Sequence, residues 1–419
     1  MRRLPLHGAL LLALAAGVFA LAEDALAGTH LVCPDCAYSS VGAAIAAAGP
    51  GDRIVVSGGT YREGTIVVDK SLTLTGQGWP VLDGEGRHEV LLITADDVTV
   101  EGFVLRSTGT SHTEDRAAIK TMQVQGCVIR DNRIEDAFFG IYLGKTRHCE
   151  VVGNVVHGEA VSEAGSGNAI HLWDCLDVTV ADNDLRGHRD GIYLEFVRAG
   201  NIHGNVSQDN VRYGLHFMFS DDSSYRDNTF RRNAAGVAVM YSRRIEMVGN
   251  RFEENWGPSV YGLLLKEIND SYIAGNIFDR NSVGVYFDGA NRTDVTLNDF
   301  TRNGYAIRVL GSSMGVAVRQ NNFIGNTFDV STNSPRSYNT FVENYWDAYQ
   351  GYDLDRDGIG DVPYRPVRRF ALIIESFPES MVLLRSPLQQ VMDYAERVVP
   401  VFTPDAIKDS RPLMRPVRW

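Results

Sequence analysis

The sequence has no long apolar run beyond its amino terminus. After residue 27 the best such segment, Phe370–Ile374, has five residues, whereas a transmembrane helix needs about 20. We therefore predict that the protein has no membrane span of its own.

Basic residues are also scarce. The chain has 40 Lys and Arg against 52 Asp and Glu, which gives a formal net charge of −12. The sequence shows no stripe of basic residues, and an acidic surface repels the phosphate backbone of a nucleic acid. We therefore expect no nucleic acid partner.

The amino terminus is typical of an export signal. Arg2 and Arg3 precede an apolar run from Leu10 to Leu21 that is too short to span a bilayer comfortably, and Ala25-Leu26-Ala27 offers a cleavage site. We predict that residues 1–27 are a signal peptide. This segment contains two bases and two acids, so the mature chain keeps the charge of −12.

Cysteines are few, and their number is odd: Cys33, Cys36, Cys127, Cys149 and Cys175. At least one thiol is therefore free or paired with another molecule. In an oxidising compartment a local disulfide is the first interpretation of Cys33-Pro-Asp-Cys36, and a soft-metal or redox site is the alternative. The spacing does not decide the other pairings.

The strongest feature is a repeat of about 22 residues. The pattern Asn-x-Phe-x-x-Asn begins at Asn228, Asn250, Asn276, Asn298, Asn321 and Asn339, with weaker copies at Asn132, Asn154, Asn183 and Asn205. Successive first asparagines are 22, 29, 22, 23, 22, 26, 22, 23 and 18 residues apart. A second element, Gly140-Ile-Tyr-Leu and its copies, follows in every full repeat. Two short β-rich stretches per repeat leave no room for a helix.

We predict an all-β fold, a right-handed parallel β-helix like that of pectate lyases. Its coils would stack at about 4.8 Å, with asparagines bonded from coil to coil at a sharp turn and phenylalanines stacked inside. The coils would extend over residues 52–364. Residues 28–51 include the C-x-x-C pair and a helical spacing over Tyr38–Ala48, and they would cap the first coil.

After about residue 365 the repeat stops. Residues 365–419 have amphipathic character around Met381–Val399 and end in a tail with four bases against one acid from Lys408 onward. We predict that this segment docks on a membrane partner and that the solenoid still folds when residues 370–419 are deleted.

Aligning the glycine-led strands sorts their side chains into columns. Every second position is apolar in all copies and must point inward, so the intervening positions point outward. One outward column consists of Tyr142, His171, Tyr193, His216, Ala238, Leu264, Tyr286 and Arg308; the other consists of Gly144, Trp173, Glu195, Met218, Met240, Lys266, Asp288 and Leu310.

Thioether and imidazole groups suit Cu(I). We predict a transient Cu(I) site on this outward, exposed face, formed by His216, Met218, Met240, Glu195 and His171. The alternative is that these methionines and aromatic rings are the apolar centre of a protein contact. Insertions around Glu159–Gly167 and Asn255–Val260 fall at one corner of the coil and bracket this face, as binding loops often do.

A second candidate metal site lies near the end of the repeat. Asp353, Asp355, Asp357 and Asp361, with Gly358 at the sixth position, have the spacing of a calcium loop. Position 12 is Tyr364 instead of Glu, so the bidentate ligand is missing. Weak calcium binding and a purely structural Asx-turn both stay open.

Several runs in the sequence resemble the NosD family, periplasmic maturation proteins of nitrous oxide reductase. They are Gly214-Leu-His-Phe-Met-Phe-Ser-Asp-Asp, Ala235-Gly-Val-Ala-Val-Met-Tyr-Ser, Asn255-Trp-Gly, Tyr261-Gly-Leu-Leu-Leu-Lys, Asn344-Tyr-Trp-Asp and Asp357-Gly-Ile-Gly-Asp-Val-Pro-Tyr. The resemblance covers nearly the whole mature chain and is specific over residues 191–364.

This resemblance implies a periplasmic accessory protein, peripheral to the inner membrane, that is not an enzyme. It implies work with an ABC transporter (the NosF ATPase and the NosY membrane subunit), contact with the copper chaperone NosL, and a role in supplying copper to apo nitrous oxide reductase. It assigns no catalytic residue, and Cys33 and Cys36 are not part of the pattern.

The alternative function is a polysaccharide lyase or epimerase, because the fold is widely used on acidic sugars. Such an enzyme needs a base, an acid and a cation that neutralises the sugar carboxylate. The residues available on the outward face are Lys266, Tyr286, Asp288, Arg308 and His216. The methionines of this face and the acidic chain favour a delivery scaffold instead.

Overall fold

The structure is a computed structural model that describes residues 27–111, 113–257, 260–398 and 406–418. Apart from Ala27, the predicted signal peptide lies outside the described residues and stays a prediction. The described chain winds into a parallel β-helix of three sheets, in which each strand pairs with the equivalent strand one coil away. The predicted fold class is confirmed.

Each coil contributes one strand to each of three sheets. In the described part of the chain, sheet A consists of Thr29–Val32, Arg53–Ser57, Thr73–Gln77, Thr99–Glu101, Val128–Arg130, Glu150–Val152, Leu176–Ala181, Arg198–His203, Ser224–Arg226, Glu246–Val248, Asn269–Ala274, Asn291–Thr296, Met314–Arg319 and Tyr338–Val342. Sheet B consists of Thr60–Tyr61, Val81–Asp83, Val104–Arg106, Arg133–Glu135, Val155–His157, Asp184–Arg186, Val206–Gln208, Thr229–Arg231, Arg251–Glu253, Ile277–Asp279, Asp299–Thr301, Asn322–Ile324 and Tyr345–Trp346. Sheet C consists of Ile66–Val68, Leu91–Ile93, Ala117–Met122, Phe139–Gly144, Ile170–Trp173, Asp190–Glu195, Tyr213–Met218, Ala235–Met240, Leu263–Lys266, Val283–Asp288, Tyr305–Val309 and Phe328–Ser331.

A buried ladder of asparagines joins the coils at the corner between sheets A and B. In each step the side-chain oxygen of one asparagine accepts hydrogen bonds from the backbone N–H and the side-chain amide of the asparagine one coil before it; at Asn276 these distances are 2.8 and 3.0 Å. The members are Asn132, Asn154, Asn183, Asn205, Asn228, Asn250, Asn276, Asn298, Asn321 and Asn344. We call this set the asparagine ladder.

The last step of the ladder corrects the phase of the sequence repeat. Asn344 accepts a hydrogen bond of 3.1 Å from the backbone of Asn321, so it is the first asparagine of its coil. Asn339, predicted to hold that position, instead accepts from the backbone of Val316. The apparent spacing of 18 residues therefore comes from a chance copy of the pattern, and the true spacing from Asn321 to Asn344 is 23 residues.

Stacked aromatic rings fill the interior of the later coils. Adjacent ring centroids are 5.6, 4.6, 4.8, 5.0 and 4.1 Å apart along the series Phe230, Phe252, Phe278, Phe300, Phe323 and Trp346. These side chains are fully buried. The fixed phase of phenylalanine in the repeat therefore becomes a continuous apolar column, which is the core of this half of the molecule.

The amino-terminal cap contains a strand as well as a helix. Thr29–Val32 pairs with Arg53–Ser57, so sheet A begins before the predicted boundary at residue 52. Helix α1, Val41–Ala47, begins at the N-cap Ser40 and buries Val41, Ala44 and Ile45. Cys33 and Cys36 form a local disulfide.

The remaining cysteines lie inside the solenoid. Cys127 and Cys149, on successive coils, form a second disulfide, and Cys175 keeps a buried free thiol. Burial raises the pKa of that thiol. Because a buried neutral thiol is neither a good nucleophile nor a ready metal ligand, the odd cysteine has a packing role.

The carboxyl-terminal segment packs onto the solenoid in two places, which the sequence analysis did not anticipate. Helix α2, Arg369–Ser376, buries Phe370, Ala371 and Ile374 beside sheet C. A 3₁₀ helix, Pro378–Leu383, and helix α3, Pro387–Val398, follow.

The chain then returns to the last coil, where Asp409 closes the asparagine ladder. Its carboxylate accepts from the backbone and the side-chain amide of Asn344, at 3.0 and 3.2 Å, and from the indole of Trp346 at 3.0 Å. Leu413 donates to the backbone carbonyl of Asn344 in the last coil, and Val417 bonds to Asn322 one coil earlier. Deleting residues 370–419 would expose Trp346 and remove the Asp409 acceptor from Asn344, so the folding of the shortened solenoid stays a prediction with a stability cost attached.

We predict that Asn276→Ala lowers the free energy of unfolding by about 1–3 kcal/mol, because the backbone and amide groups of Asn250 would lose their buried acceptor. Chemical denaturation followed by circular dichroism measures the change. Asn201→Ala, at an exposed position on sheet A, is the matched control and should change stability little. Equal effects from the two substitutions would contradict the structural role of the ladder.

Candidate functional site

Register pairing in sheet C confirms the two outward columns. Tyr142, His171, Tyr193, His216 and Ala238 are partners in successive strands, and so are Gly144, Trp173, Glu195, Met218, Met240, Lys266 and Asp288. Because parallel strands lie about 4.8 Å apart, each column is a line of neighbouring side chains. Most members of both columns are partly exposed, but His216 in the first column is buried.

Glu195, Met218 and Met240 occupy three successive strands and are partly exposed. We call these residues the thioether column. No hydrogen bond or ion pair joins the Glu195 carboxylate to another described residue, so it is free to compensate the charge of a cation. Two neighbouring thioethers and a nearby carboxylate form an open, soft site at the surface.

The structure contradicts the prediction that His216 lies on an exposed face, whereas His171 is partly exposed, as Met218 and Met240 are. His216 is 1% exposed, and the rings of Tyr193 and Tyr213 lie 4.9 and 4.8 Å from its ring. Its Nδ1 is 3.9 Å from a carboxylate oxygen of the buried Asp190, and neither ring nitrogen has a hydrogen-bond partner among the described residues.

His171 lies in the same column and is partly exposed. Its ring stacks on Tyr142 at 4.7 Å, and its Nδ1 bonds to the side-chain amide of Asn168 at 2.9 Å. Burial, and then the charge of Arg189, lowers the pKa of His171 to about 3. The imidazole is therefore neutral at physiological pH, with one ring nitrogen already bonded.

The first insertion contributes to the burial of His216. Glu163, within the predicted loop Glu159–Gly167, lies 3.8 Å from Arg212. The Arg212 guanidinium lies over the ring of Tyr213, and Tyr213 covers His216. These contacts shield His216 and leave the thioether column partly exposed.

The second insertion contributes to an apolar cavity of about 610 Å³ at the other end of sheet C. Trp256 and Val260 from the insertion, Phe328 from the sheet, and Met381 and Leu384 from the carboxyl-terminal segment line it. The cavity therefore lies where the solenoid meets that segment.

Two of the groups named for the lyase alternative are engaged or buried. Arg308 donates to both carboxylate oxygens of Glu375 in helix α2, at 2.6 and 2.7 Å, and His216 is enclosed as described above. Lys266, Tyr286 and Asp288 stay partly exposed on this face.

Sequence analysis missed three exposed aromatic residues beside the thioether column. Phe196, Phe219 and Tyr241 directly follow Glu195, Met218 and Met240 in the chain, and they are 50, 46 and 42% exposed. The signal that would have revealed them is an aromatic residue at the same phase of three successive repeats.

The acidic loop brings three of its four predicted ligands together. Carboxylate oxygens of Asp353, Asp355 and Asp357 lie within 4.8 Å of one another. Asp361 instead accepts from the backbone of Leu354 at 2.7 Å. The pKa of Asp355 lies above its ordinary value. The hydrogen bond from the backbone N–H of Asp357 lowers this pKa, but the charge of the Asp357 carboxylate and partial desolvation together raise it by more.

The described part of the chain contains no helix that is long and apolar enough to cross a membrane.

Comparison with known proteins gives a consistent result. A sequence profile of the family described as periplasmic copper-binding protein (NosD) matches residues 156–351. A probable ABC transporter binding protein NosD of Pseudomonas aeruginosa is 33% identical over 386 residues, which cover 87% of this chain and 88% of the relative. A protein of the same description from Stutzerimonas stutzeri is 31% identical over 373 residues, which cover 84% of this chain and 85% of the relative.

Solved structures show the same fold at low sequence identity. The catalytic unit of a GH87 α-1,3-glucanase from Streptomyces thermodiastaticus is similar with a TM-score of 0.57 and 15% identity, over 73% of this chain and 65% of that chain. A family 28 exopolygalacturonase from Yersinia enterocolitica has a TM-score of 0.51 and 10% identity, over 75% and 78% of the two chains. At such identities the likeness concerns the fold alone.

We predict weak calcium binding at the acidic loop, with a dissociation constant of about 0.1–1 mM, because the bidentate glutamate is missing. Isothermal titration calorimetry measures it, and the double substitution Asp355→Asn with Asp357→Asn should abolish it. Asp182→Asn, at another exposed turn, is the control. Absence of any calcium heat in the unsubstituted protein would show that the loop is only a structural turn.

Proposed function

This chain belongs to the NosD family of periplasmic copper-binding proteins, and on that premise we propose that it passes copper between a copper chaperone and apo nitrous oxide reductase. In this proposal the protein works in the periplasm beside an ABC transporter and is peripheral to the inner membrane. The observation that carries the proposal is the thioether column, which places two methionine sulfurs at neighbouring surface positions.

In this proposal copper is the substrate that the protein passes on, and it is not a resident cofactor. Met218 and Met240 would take Cu(I) through their sulfurs, and the free carboxylate of Glu195 would compensate its charge. A site with two soft ligands at the surface binds briefly, because an incoming partner can replace either ligand without breaking a closed coordination shell. Such a site suits transfer better than storage.

His216 and His171 have a different place in the proposal. His216 lies two residues before Met218 on the same face of sheet C, and its ring nitrogens make no hydrogen bond among the described residues. It is thus available as a third ligand when Tyr213 moves aside. His171 is one strand further from Met218 than Tyr193, and its Nδ1 is already bonded, so we give it a packing role.

The carboxyl-terminal segment supports docking on the transporter. Between helix α2 and the returning tail it exposes Phe377, Met381, Val382, Leu383, Leu388, Val391 and Tyr394. Clustered exposed apolar side chains are typical of a binding surface. The cavity behind Met381 and Leu384 would accept an apolar anchor from the partner. Helix α2 and Asp409 hold this surface on the solenoid.

We predict that Met218→Leu with Met240→Leu weakens Cu(I) binding and slows copper transfer at least about tenfold, because leucine keeps the volume and removes the sulfur ligands. Competition with a chromogenic Cu(I) chelator measures binding. Met122→Leu, in the same column four strands away, is the control. Unchanged transfer with the double substitution would mean that this face is a docking surface without a metal site.

We predict that Val382→Ser, Leu388→Ser and Val391→Ser together abolish co-purification with the ABC transporter and leave the fold intact, because these side chains are exposed and support no core. Val161→Ser, at a 94% exposed position in the first insertion, is the control. If the triple variant still co-purifies, the transporter binds to the coils instead.

A further inference from the structure

The three exposed rings Phe196, Phe219 and Tyr241 form a continuous stack, which we call the aromatic ladder. Ring centroids are 5.4 Å apart from Phe196 to Phe219 and 5.1 Å from Phe219 to Tyr241, with planes inclined by 9° and 17°. The rings cover one another's faces, so the ladder presents a row of ring edges to its surroundings. Each ring belongs to the residue that directly follows a member of the thioether column in the chain.

The fold does not require aromatic side chains here. All three residues have a left-handed backbone, with φ of 56°, 51° and 53°, a conformation that asparagine, aspartate and glycine adopt more readily than a bulky residue. In neighbouring coils the same corner is held by Lys145, Asp174, Glu267 and Gly289. Bulky rings at a strained, exposed position therefore serve something other than folding.

Unpaired acids surround the ladder on the side of sheet C. The carboxylates of Asp174, Glu195 and Glu267 make no hydrogen bond or ion pair with any described residue, and Asp288 accepts only from the Ser312 hydroxyl. Lys266 and Lys145 are bases that lie among them, so the acids on this side are in excess.

The other side of the ladder has no excess of acid. Asp221 and Asp222 form ion pairs with Arg243 and Arg244, and Arg198 lowers the pKa of Asp222 after the larger effect of the Arg244 hydrogen bond. The negative part of the patch therefore consists of the carboxylates next to the thioether column.

We propose that the aromatic ladder is the docking surface for the protein that exchanges copper with the thioether column, and that this partner presents an apolar centre ringed by lysine and arginine. The inference rests on the proposed function. Aromatic rings are common anchors of protein interfaces, and unpaired acids select a basic rim. Phe219 and Tyr241 directly follow Met218 and Met240 in the chain. A partner docked on the rings would therefore place its own copper ligands beside the two methionine sulfurs.

Two other occupants fit the patch less well. A second copy of this chain would set the same acids against one another, which costs binding free energy. A sugar ring stacks on an open aromatic face, and only the two end rings of the ladder have one. Light scattering of the protein alone and titration with an oligosaccharide distinguish these occupants from the proposed one.

The test uses Phe196→Asn, Phe219→Asn and Tyr241→Asn together in the full mature chain. Asparagine suits the left-handed backbone, so the variant should fold with an equal or higher melting temperature. Its affinity for the purified copper chaperone or the purified apo reductase, measured by biolayer interferometry, should fall at least about tenfold. Copper binding by the isolated variant should stay unchanged, because Met218 and Met240 remain.

The matched control is Trp79→Asn, which removes an aromatic side chain that is 40% exposed and has a φ of 58°. It should not change partner affinity. Asp174→Lys with Glu267→Lys should slow association and reduce its dependence on salt. If the unsubstituted protein binds a partner and the triple asparagine variant binds it equally well, the docking inference is wrong. If the unsubstituted protein binds neither partner, the proposed function fails as well.

Discussion

The asparagine ladder is the interaction on which the rest of the structure depends. Each member accepts from the backbone and the side chain of the member one coil before it, so every buried amide at this corner is satisfied only when the coils stack in one register. A slip of one residue would leave the amides unpaired and turn each strand's apolar side chains outward. The ladder therefore specifies the register of all three sheets.

A fixed register converts the repeat into columns, and columns are how this molecule builds its surfaces. The thioether column and the aromatic ladder each consist of the same position in successive coils. Neither requires a loop to hold its members together, because the strand spacing does so. A solenoid of this kind can present several thioether or aromatic side chains in one line on its surface. Partners of different shape can bind to the same line.

Non-repeating segments then decide which columns partners can reach. The first insertion, through Glu163, Arg212 and Tyr213, encloses His216 and leaves Met218 open. The carboxyl-terminal segment occupies Arg308 with Glu375 and closes the last coil with Asp409. The same segment carries an exposed apolar surface, which we propose as a docking site, so it would both complete the solenoid and present a site for a partner.

The sequence by itself determined the coil, the inward and outward columns, the stacked phenylalanines and the amino-terminal helix, because strand alternation and repeat length depend only on residues close together in the chain. Only the tertiary structure decided that His216 is buried, that Asn344 rather than Asn339 continues the ladder, and that Asp409 closes it. It also decided that Phe196, Phe219 and Tyr241 stack at the surface. Each of these depends on segments that are far apart in sequence, or on a backbone conformation at a turn, and no local pattern of residue types specifies either.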